Sequence, residues 1–233
     1  MAELLYEGKA KQVYKTEKED EYLIHYKDDA TAGNGVKHDK FEGKGVLNNT
    51  ISCIIFDMLE EAGIKTHMIK KLNERDILVK KVDIFPLEVI IRNITTGSFC
   101  RRLGAPEGIV LDEPIFEMSY KNDEYGDPLI NDDHAVALKL ATREELAYIK
   151  ETTLKINELL KEFFLSMNLK LVDFKIEFGK TADGTILLAD EISPDSCRLW
   201  DVDTNQKYDK DVFRQDIGDL IETYKAVLAR MQN

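Results

Sequence analysis

Apolar residues recur at helical spacing through Leu47, Ile51, Ile54, Ile55, Met58 and Leu59, and Gly63 is placed to end the helix they predict. The rest of the first third reads as strands. Residues 4–7 and 12–14 predict a hairpin bending through Gly8-Lys9-Ala10-Lys11, and residues 21–26 and 77–82 predict two more strands. Residues 87–92 are β-rich, whereas 104–133, with Pro106, Pro114, Pro128 and several Asp and Asn, reads as loop. Thr142-Arg143-Glu144-Glu145 is a capping box, and Leu146, Ile149, Thr153, Ile156, Leu160 and Phe163 follow along one helical face. A last helix carries Val212, Phe213, Leu220, Ile221, Tyr224 and Leu228. Both of these helices read as scaffold without chemistry. Between them, residues 171–178 and 185–192 predict a hairpin turning at Asp183-Gly184. The pattern is that of a mixed α/β (α+β) chain in two lobes, residues 1–84 and 85–233, with a hinge at 82–85.

Composition narrows the partners. The 233 residues carry 32 Lys+Arg against 44 Asp+Glu, a net charge of −12, which opposes binding to nucleic acid or an anionic membrane. Cys53, Cys100 and Cys197 lie far apart without a CxxC pair, and the four histidines form no close ligand pair. A disulfide framework and a zinc site are both disfavoured, and a reducing compartment fits. With no apolar run long enough for a membrane span and no signal peptide at the start, a soluble cytoplasmic protein is expected.

The strongest chemical signal is residues 171–179, LVDFKIEFG. Strand alternation puts Val172, Phe174, Ile176 and Phe178 on one face and Asp173, Lys175 and Glu177 on the other. A two-residue turn at Asp183-Gly184 sets Glu177 opposite Asp190. Two facing carboxylates repel unless a cation such as Mg²⁺ lies between them; a solvated charged face neutralised by Lys175 is the plainer reading. The run from Asp190 through Glu191, Asp195 and Arg198 to Asp201 adds charge beside the only tryptophan, Trp200. Gly8 to Lys11 could lay backbone amides and a lysine over phosphates, although taken alone a plain surface turn is the simpler reading. No Walker A or GxGxxG sequence is present. Arg92 ends a β-rich run, and Gly97-Ser98 near Arg101 offers amides, a hydroxyl and a guanidinium to a phosphate, against a structural salt bridge for Arg92. The polar runs at 27–35, 43–49 and 120–132 each read alone as loops. A small-molecule kinase and a nucleotide-sensing module are the rival functional classes.

Taken together, "LYEGKAKQVY", "KDDATAGNG", "GKGVLNN", "FPLEVIIRNITTGS", "YKNDEYGDPLIND", "LVDFKIEFG" and "LLADEISPDSCRLWD" closely resemble the phosphoribosylaminoimidazole-succinocarboxamide synthase (SAICAR synthetase) family of purine biosynthesis. The resemblance spans residues 4 to about 201 and departs at Gly33, where the family commonly has an aromatic residue. It implies a two-lobed fold, an antiparallel β N-terminal lobe and a larger α/β lobe, related to ATP-grasp and kinase-like nucleotide binders. It implies ATP-dependent condensation of L-aspartate with carboxyaminoimidazole ribonucleotide through an acyl phosphate, by a cytoplasmic Mg²⁺-dependent homodimer. Carried onto this chain, Gly8, Lys9, Ala10 and Lys11 would cover the phosphates, and Lys80, Lys81 and Val82 would meet adenine through their backbone. Lys175 would be a second phosphate contact, and Lys11, Lys175 and Asp173 the catalytic group. Glu177 and Asp190 would hold the metal. Arg92, Ser98 and Arg198 would cradle the ribonucleotide phosphate, with Glu191 and Asp195 as substrate partners. Lys44, Asn48 and Asp28 are candidates for the aspartate site.

Overall fold

The computed structural model describes residues 3–32 and 37–232, so Gly33 lies outside the described residues. Its first part runs β1 (Leu4–Glu7), β2 (Lys11–Lys15), β3 (Glu21–Tyr26), β4 (Asp29–Ala32), β5 (Lys37–Lys40), α1 (Lys44–Glu61), β6 (Met68–Lys71), β7 (Asp76–Lys80) and β8 (Asp83–Ile84). Then follow β9 (Leu87–Ile94), α2 (Gly97–Leu103), β10 (Val110–Tyr120), β11 (Leu129–Ile130), α3 (Asp132–Ala137) and α4 (Arg143–Leu165). The chain closes with β12 (Leu169–Lys180), β13 (Ile186–Ala189), β14 (Cys197–Asp201), α5 (Asp211–Arg214) and α6 (Leu220–Met231).

Two large antiparallel sheets organise these elements, and β4 and β5 pair as a separate two-stranded one. The smaller of the two large sheets has the order β1-β2-β3-β7-β6 and comes entirely from the first 80 residues. The larger has the path β11-β10-β9-β12-β13, with β8 and β14 also on β12. The twelve-residue β12 is its spine. One edge pairs with β9 from Asp173 to Ile176 and with β8 at Gly179 and Lys180; the other pairs with β14 up to Phe174 and with β13 from Glu177. Residues 190–196 leave the sheet in the gap between β13 and β14, tied back where the Lys175 amide donates to Ser196 O.

One apolar core joins the two sheets. Ile24 and Ile77 of the small sheet, Ile55 and Phe56 of α1, and Val89, Phe174 and Ile176 of the large one belong to the same buried cluster, with Ile149, Ile156 and Leu160 of α4 closing it. The chain crosses between the sheets at 81–86. There a Cβ on Gly179 would lie 2.5 Å from Val82 Cγ2, so β12 and the crossing segment touch without room for a side chain.

Four expectations are corrected. The stretch 104–133 contains the eleven-residue strand β10. Pro114 lies where its register against β9 shifts, so the missing N–H interrupts no regular ladder. The C-terminal helix is two helices, separated where Asp216 takes φ 54° and Asp219 caps α6 by accepting the Glu222 amide. The hairpin after β12 turns through residues 181–185 rather than two residues. Its register slips by one, so Glu177 faces Ala189 and Asp190 follows the strand at φ 61°. The expected capping box is present: Thr142 Oγ1 accepts the Glu145 amide, and Glu145 accepts the Thr142 amide.

Candidate active site

The β1–β2 turn, the end of β7 and the middle of β12 enclose a cleft of about 660 Å³. Gly8, Lys9, Ala10 and Lys11 form its roof and Lys175, Glu177 and Asp190 its floor. Lys11 bonds to Asp190 and lies 3.3 Å from Glu191 Oε1. Burial would lower its pKa, but the Asp190 and Glu191 charges reverse that and hold it above the ordinary lysine range. Lys175 behaves alike: burial opposes its charge, and Glu177, Asp190 and Glu88 restore it. For Asp190, burial favours the acid, yet Lys11 and Lys175 pull its pKa well below the carboxylate range. Glu177 is buried and accepts from Lys121 at 2.6 Å and Lys175 at 2.9 Å. His67 lines the same cleft; burial, then the Lys11 charge, drop its pKa to about 3, so it is a neutral wall.

The trio expected to meet adenine divides. Lys80 and Val82 line the cleft, whereas Lys81 faces a larger groove of about 1240 Å³ on the other side of the crossing. The Lys80 amide donates to His67 O at 2.7 Å and the Lys81 amide to Asp20 O at 2.8 Å. The amides of Lys80 and Lys81 are thus engaged within the protein. The larger groove mixes charges of both signs along Glu19–Glu21, Lys65 and Lys180.

A second basin adjoins the first, sharing Glu88 and Lys175 with it. Arg92, Ser98, Arg198 and Arg214 line this basin, and Arg101 and Arg102 line its outer part. Acids behind the guanidinium groups fix their aim. Arg92 Nε donates to Glu117 at 2.7 Å, Nη1 to Asp173 at 3.0 Å and Nη2 to Ser98 Oγ at 3.1 Å. Arg198 donates to the same Asp173 oxygen at 2.8 Å and to Asp211 at 2.9 Å, and Arg214 donates to Asp211 at 2.7 Å. Burial disfavours the Arg198 charge, but Asp173 and Asp211 raise its pKa further than burial lowers it. Asp173 is therefore a buried strut between two arginines. Gly97 takes φ 56°, and a Cβ there would lie 2.7 Å from Arg198 Nη2, so only glycine fits beside that guanidinium.

Other expected residues work in the interior. Asp28 accepts the Gly45 amide at 3.0 Å and both Arg75 Nη groups, holding the start of α1. Lys44 has no exposure and lies 2.6 Å from Asp195, while Asn48 is buried on the same helix. Glu191 is buried yet lines the first cleft, and Asp195, half-buried, lines the second basin, with its two carboxylate oxygens held by Tyr224, Lys44 and Lys210. Sequence reasoning passed over Lys121, Glu88, Asp211 and Arg214. Lys121 stood in a polar run read as loop, and Asp211 and Arg214 on a helix read as scaffold.

Among the described residues no three His, Cys, Asp or Glu side chains converge as a ready-made metal cage, and no helix is long and apolar enough to cross a membrane. A family model for SAICAR synthetase matches residues 4–231. A phosphoribosylaminoimidazole-succinocarboxamide synthase of Finegoldia magna is 67% identical over 230 residues, 99% of each chain. The crystal structure of the synthase of that name from Ehrlichia chaffeensis superposes with a TM-score of 0.97 at 45% identity, over 99% of this chain and 98% of that one. A SAICAR synthetase in complex with ADP superposes with a TM-score of 0.94 at 50% identity, over 97% and 96%. A roofed cleft, an adjoining arginine basin and likeness along the whole length agree: the chain belongs to the SAICAR synthetase family.

Proposed function

We propose how this cleft performs the reaction of its family, the ATP-dependent joining of L-aspartate to the carboxylate of carboxyaminoimidazole ribonucleotide. A carboxylate is a poor electrophile. Transfer of the γ-phosphoryl group to one of its oxygens gives an acyl phosphate and ADP; the aspartate amine then attacks the acyl carbon, loses a proton and expels phosphate.

The two adjoining basins suit the two phosphorylated substrates. In this reading the nucleotide lies under residues 8–11 with its base toward Lys80 and Val82; that a relative forms a complex with ADP supports nucleotide binding as such. Lys11 and Lys175 neutralise its phosphates. Arg92, Ser98 and Arg198 take the ribonucleotide phosphate, their guanidinium groups already aimed and their charge secured by buried acids. Residues 1–84 act as the lobe that covers the nucleotide and 85–233 as the lobe that carries the second substrate. The donor set at Glu177 and Asp190 fits Mg²⁺, which takes one or two carboxylates and completes its shell with water and phosphate oxygens. Bound there, the ion would neutralise phosphate charge. The reading places the enzyme in the cytoplasm, which its three free cysteines suit, and as a homodimer, an expectation carried by family resemblance alone.

The single observation that carries this reading is that both basins share Glu88 and Lys175. A terminal phosphoryl group and a carboxylate brought there meet without diffusion. In an assay omitting each substrate in turn, phosphate appears only when ATP, the carboxylated ribonucleotide and aspartate are all present. Phosphoryl transfer without aspartate-dependent phosphate release would indicate a kinase, and no turnover a sensor. Arg198→Ala raises the ribonucleotide KM at least about tenfold, the size of a lost charge-assisted hydrogen bond, and an unchanged KM removes Arg198 from that basin.

A further inference from the structure

Residues 190–196 form no regular element, yet Ile192 and Ser193 are 0% and 1% exposed. Loops of this kind normally run over the surface. This one is fastened from four directions. Ser52 Oγ of α1 donates to Ile192 O at 3.0 Å, the Lys175 amide to Ser196 O at 2.8 Å and the Lys210 amide to Pro194 O at 3.0 Å. Tyr224 of α6, itself fully buried, donates its hydroxyl to Asp195 Oδ1 at 2.5 Å, while Lys44 lies 2.6 Å and Lys210 3.6 Å from Asp195 Oδ2.

Lys44 breaks a local rule. A cation in the first turn of a helix opposes the helix dipole, and α1 has no acidic residue in that turn. A buried lysine there is tolerated because Asp195 pairs with it, and local rules are broken mainly where function demands it. From Asp195 a bonded line leads to the cleft. Its amide donates to Ser193 Oγ at 3.1 Å, and Ser193 Oγ donates to Glu191 Oε2 at 2.9 Å. The other Glu191 oxygen, Oε1, lies 3.3 Å from Lys11 Nζ.

We propose that Tyr224, Lys44, Asp195 and Ser193 are positioning residues, an interior strut that fixes the Glu191 carboxylate and through it the aim of the Lys11 ammonium. A lysine has four rotatable bonds, and a carboxylate held at one oxygen only can still swing. With the second oxygen held by Ser193, Glu191 offers Lys11 one fixed acceptor. The inference rests on the reading of Lys11 as a phosphate contact.

The test is a double-mutant cycle on ADP affinity, measured by calorimetry, with thermal melts to verify folding. Ser193→Ala and Tyr224→Phe each weaken ADP binding about three- to tenfold, the range of one lost hydrogen bond, and leave the ribonucleotide KM unchanged. In a Lys11→Ala background both substitutions cost nothing more, because the group they aim is gone. A folded Ser193→Ala variant that binds ADP as tightly as the native chain overturns the strut, as do losses that add in full on Lys11→Ala. If Lys11→Ala alone leaves ADP affinity unchanged, the phosphate-contact reading fails and the strut with it. If Lys11→Ala weakens binding and Ser193→Ala does not, only the strut fails.

Discussion

Asp209 has no exposure, and its two oxygens accept the amides of Leu199 at 2.9 Å and Asp211 at 2.8 Å. Burial, and then the Asp211 charge, push its pKa up to about 7, against the pull of those amides and of Arg198. The folded chain therefore keeps a proton that the unfolded chain releases near the ordinary value of 3.8. This contribution to stability is fully present below about pH 4 and is lost as pH rises through about 7. Denaturant titrations from pH 5 to 8 should show the stability difference between the native chain and Asp209→Asn falling as pH rises; a constant difference removes Asp209 as its source. Single residues drew attention in the sequence where charges alternated with apolar residues along a strand, as with Asp173, Lys175 and Glu177, or ended a β-rich run, as with Arg92. They were not legible where a long-range neighbour supplies the meaning. Lys121 reads as a turn residue until the pairing of β10 with β9 brings it to Glu177. Asp28 reads as a substrate ligand until Arg75, 47 positions away, closes on it.

Helix α4 shows an element whose ends are written locally. The reciprocal bonds of Thr142 and Glu145 satisfy amides that the first turn leaves without partners. Thr142→Ala costs about 1 kcal/mol, which lowers the melting temperature by about 2–4 °C in a chain of this size, with kcat unchanged; a melting temperature that stays put shows that packing on β12 alone fixes the helix start. Strand β12 was legible by its alternation, but its register was not. The turn at 181–185 has five residues, and Thr181 donates its amide to Thr185 O, so counting from Asp183-Gly184 misplaces every partner by one. Strand β10 was hidden by Pro114, which masks a strand only when its register shift cannot be foreseen. The break between α5 and α6 lies at Gly218 and the cap at Asp219, and apolar spacing continuing across it hid the break from the sequence reading.

On the scale of the molecule, charge and topology divide the labour. The chain carries a net charge of −12, yet the second basin gathers Arg92, Arg101, Arg102, Arg198 and Arg214. Overall charge thus repels polyanions, while the arginines of this basin suit the small anion proposed for it. The two sheets are stitched across the cleft mouth by Lys9 and Asp123 at 2.7 Å, an exposed pair worth little on its own. Their lasting connection is the common core and the crossing at 81–86. At that crossing Gly179 presses its bare Cα face on Val82, which also lines the cleft proposed for the nucleotide. Gly179→Ala should displace Val82 and change the KM for ATP severalfold with the ribonucleotide KM unchanged; equal KM values for ATP show that the crossing yields without moving the cleft wall. Discrimination between one purine triphosphate and another would then be adjustable from a strand position that never touches the base.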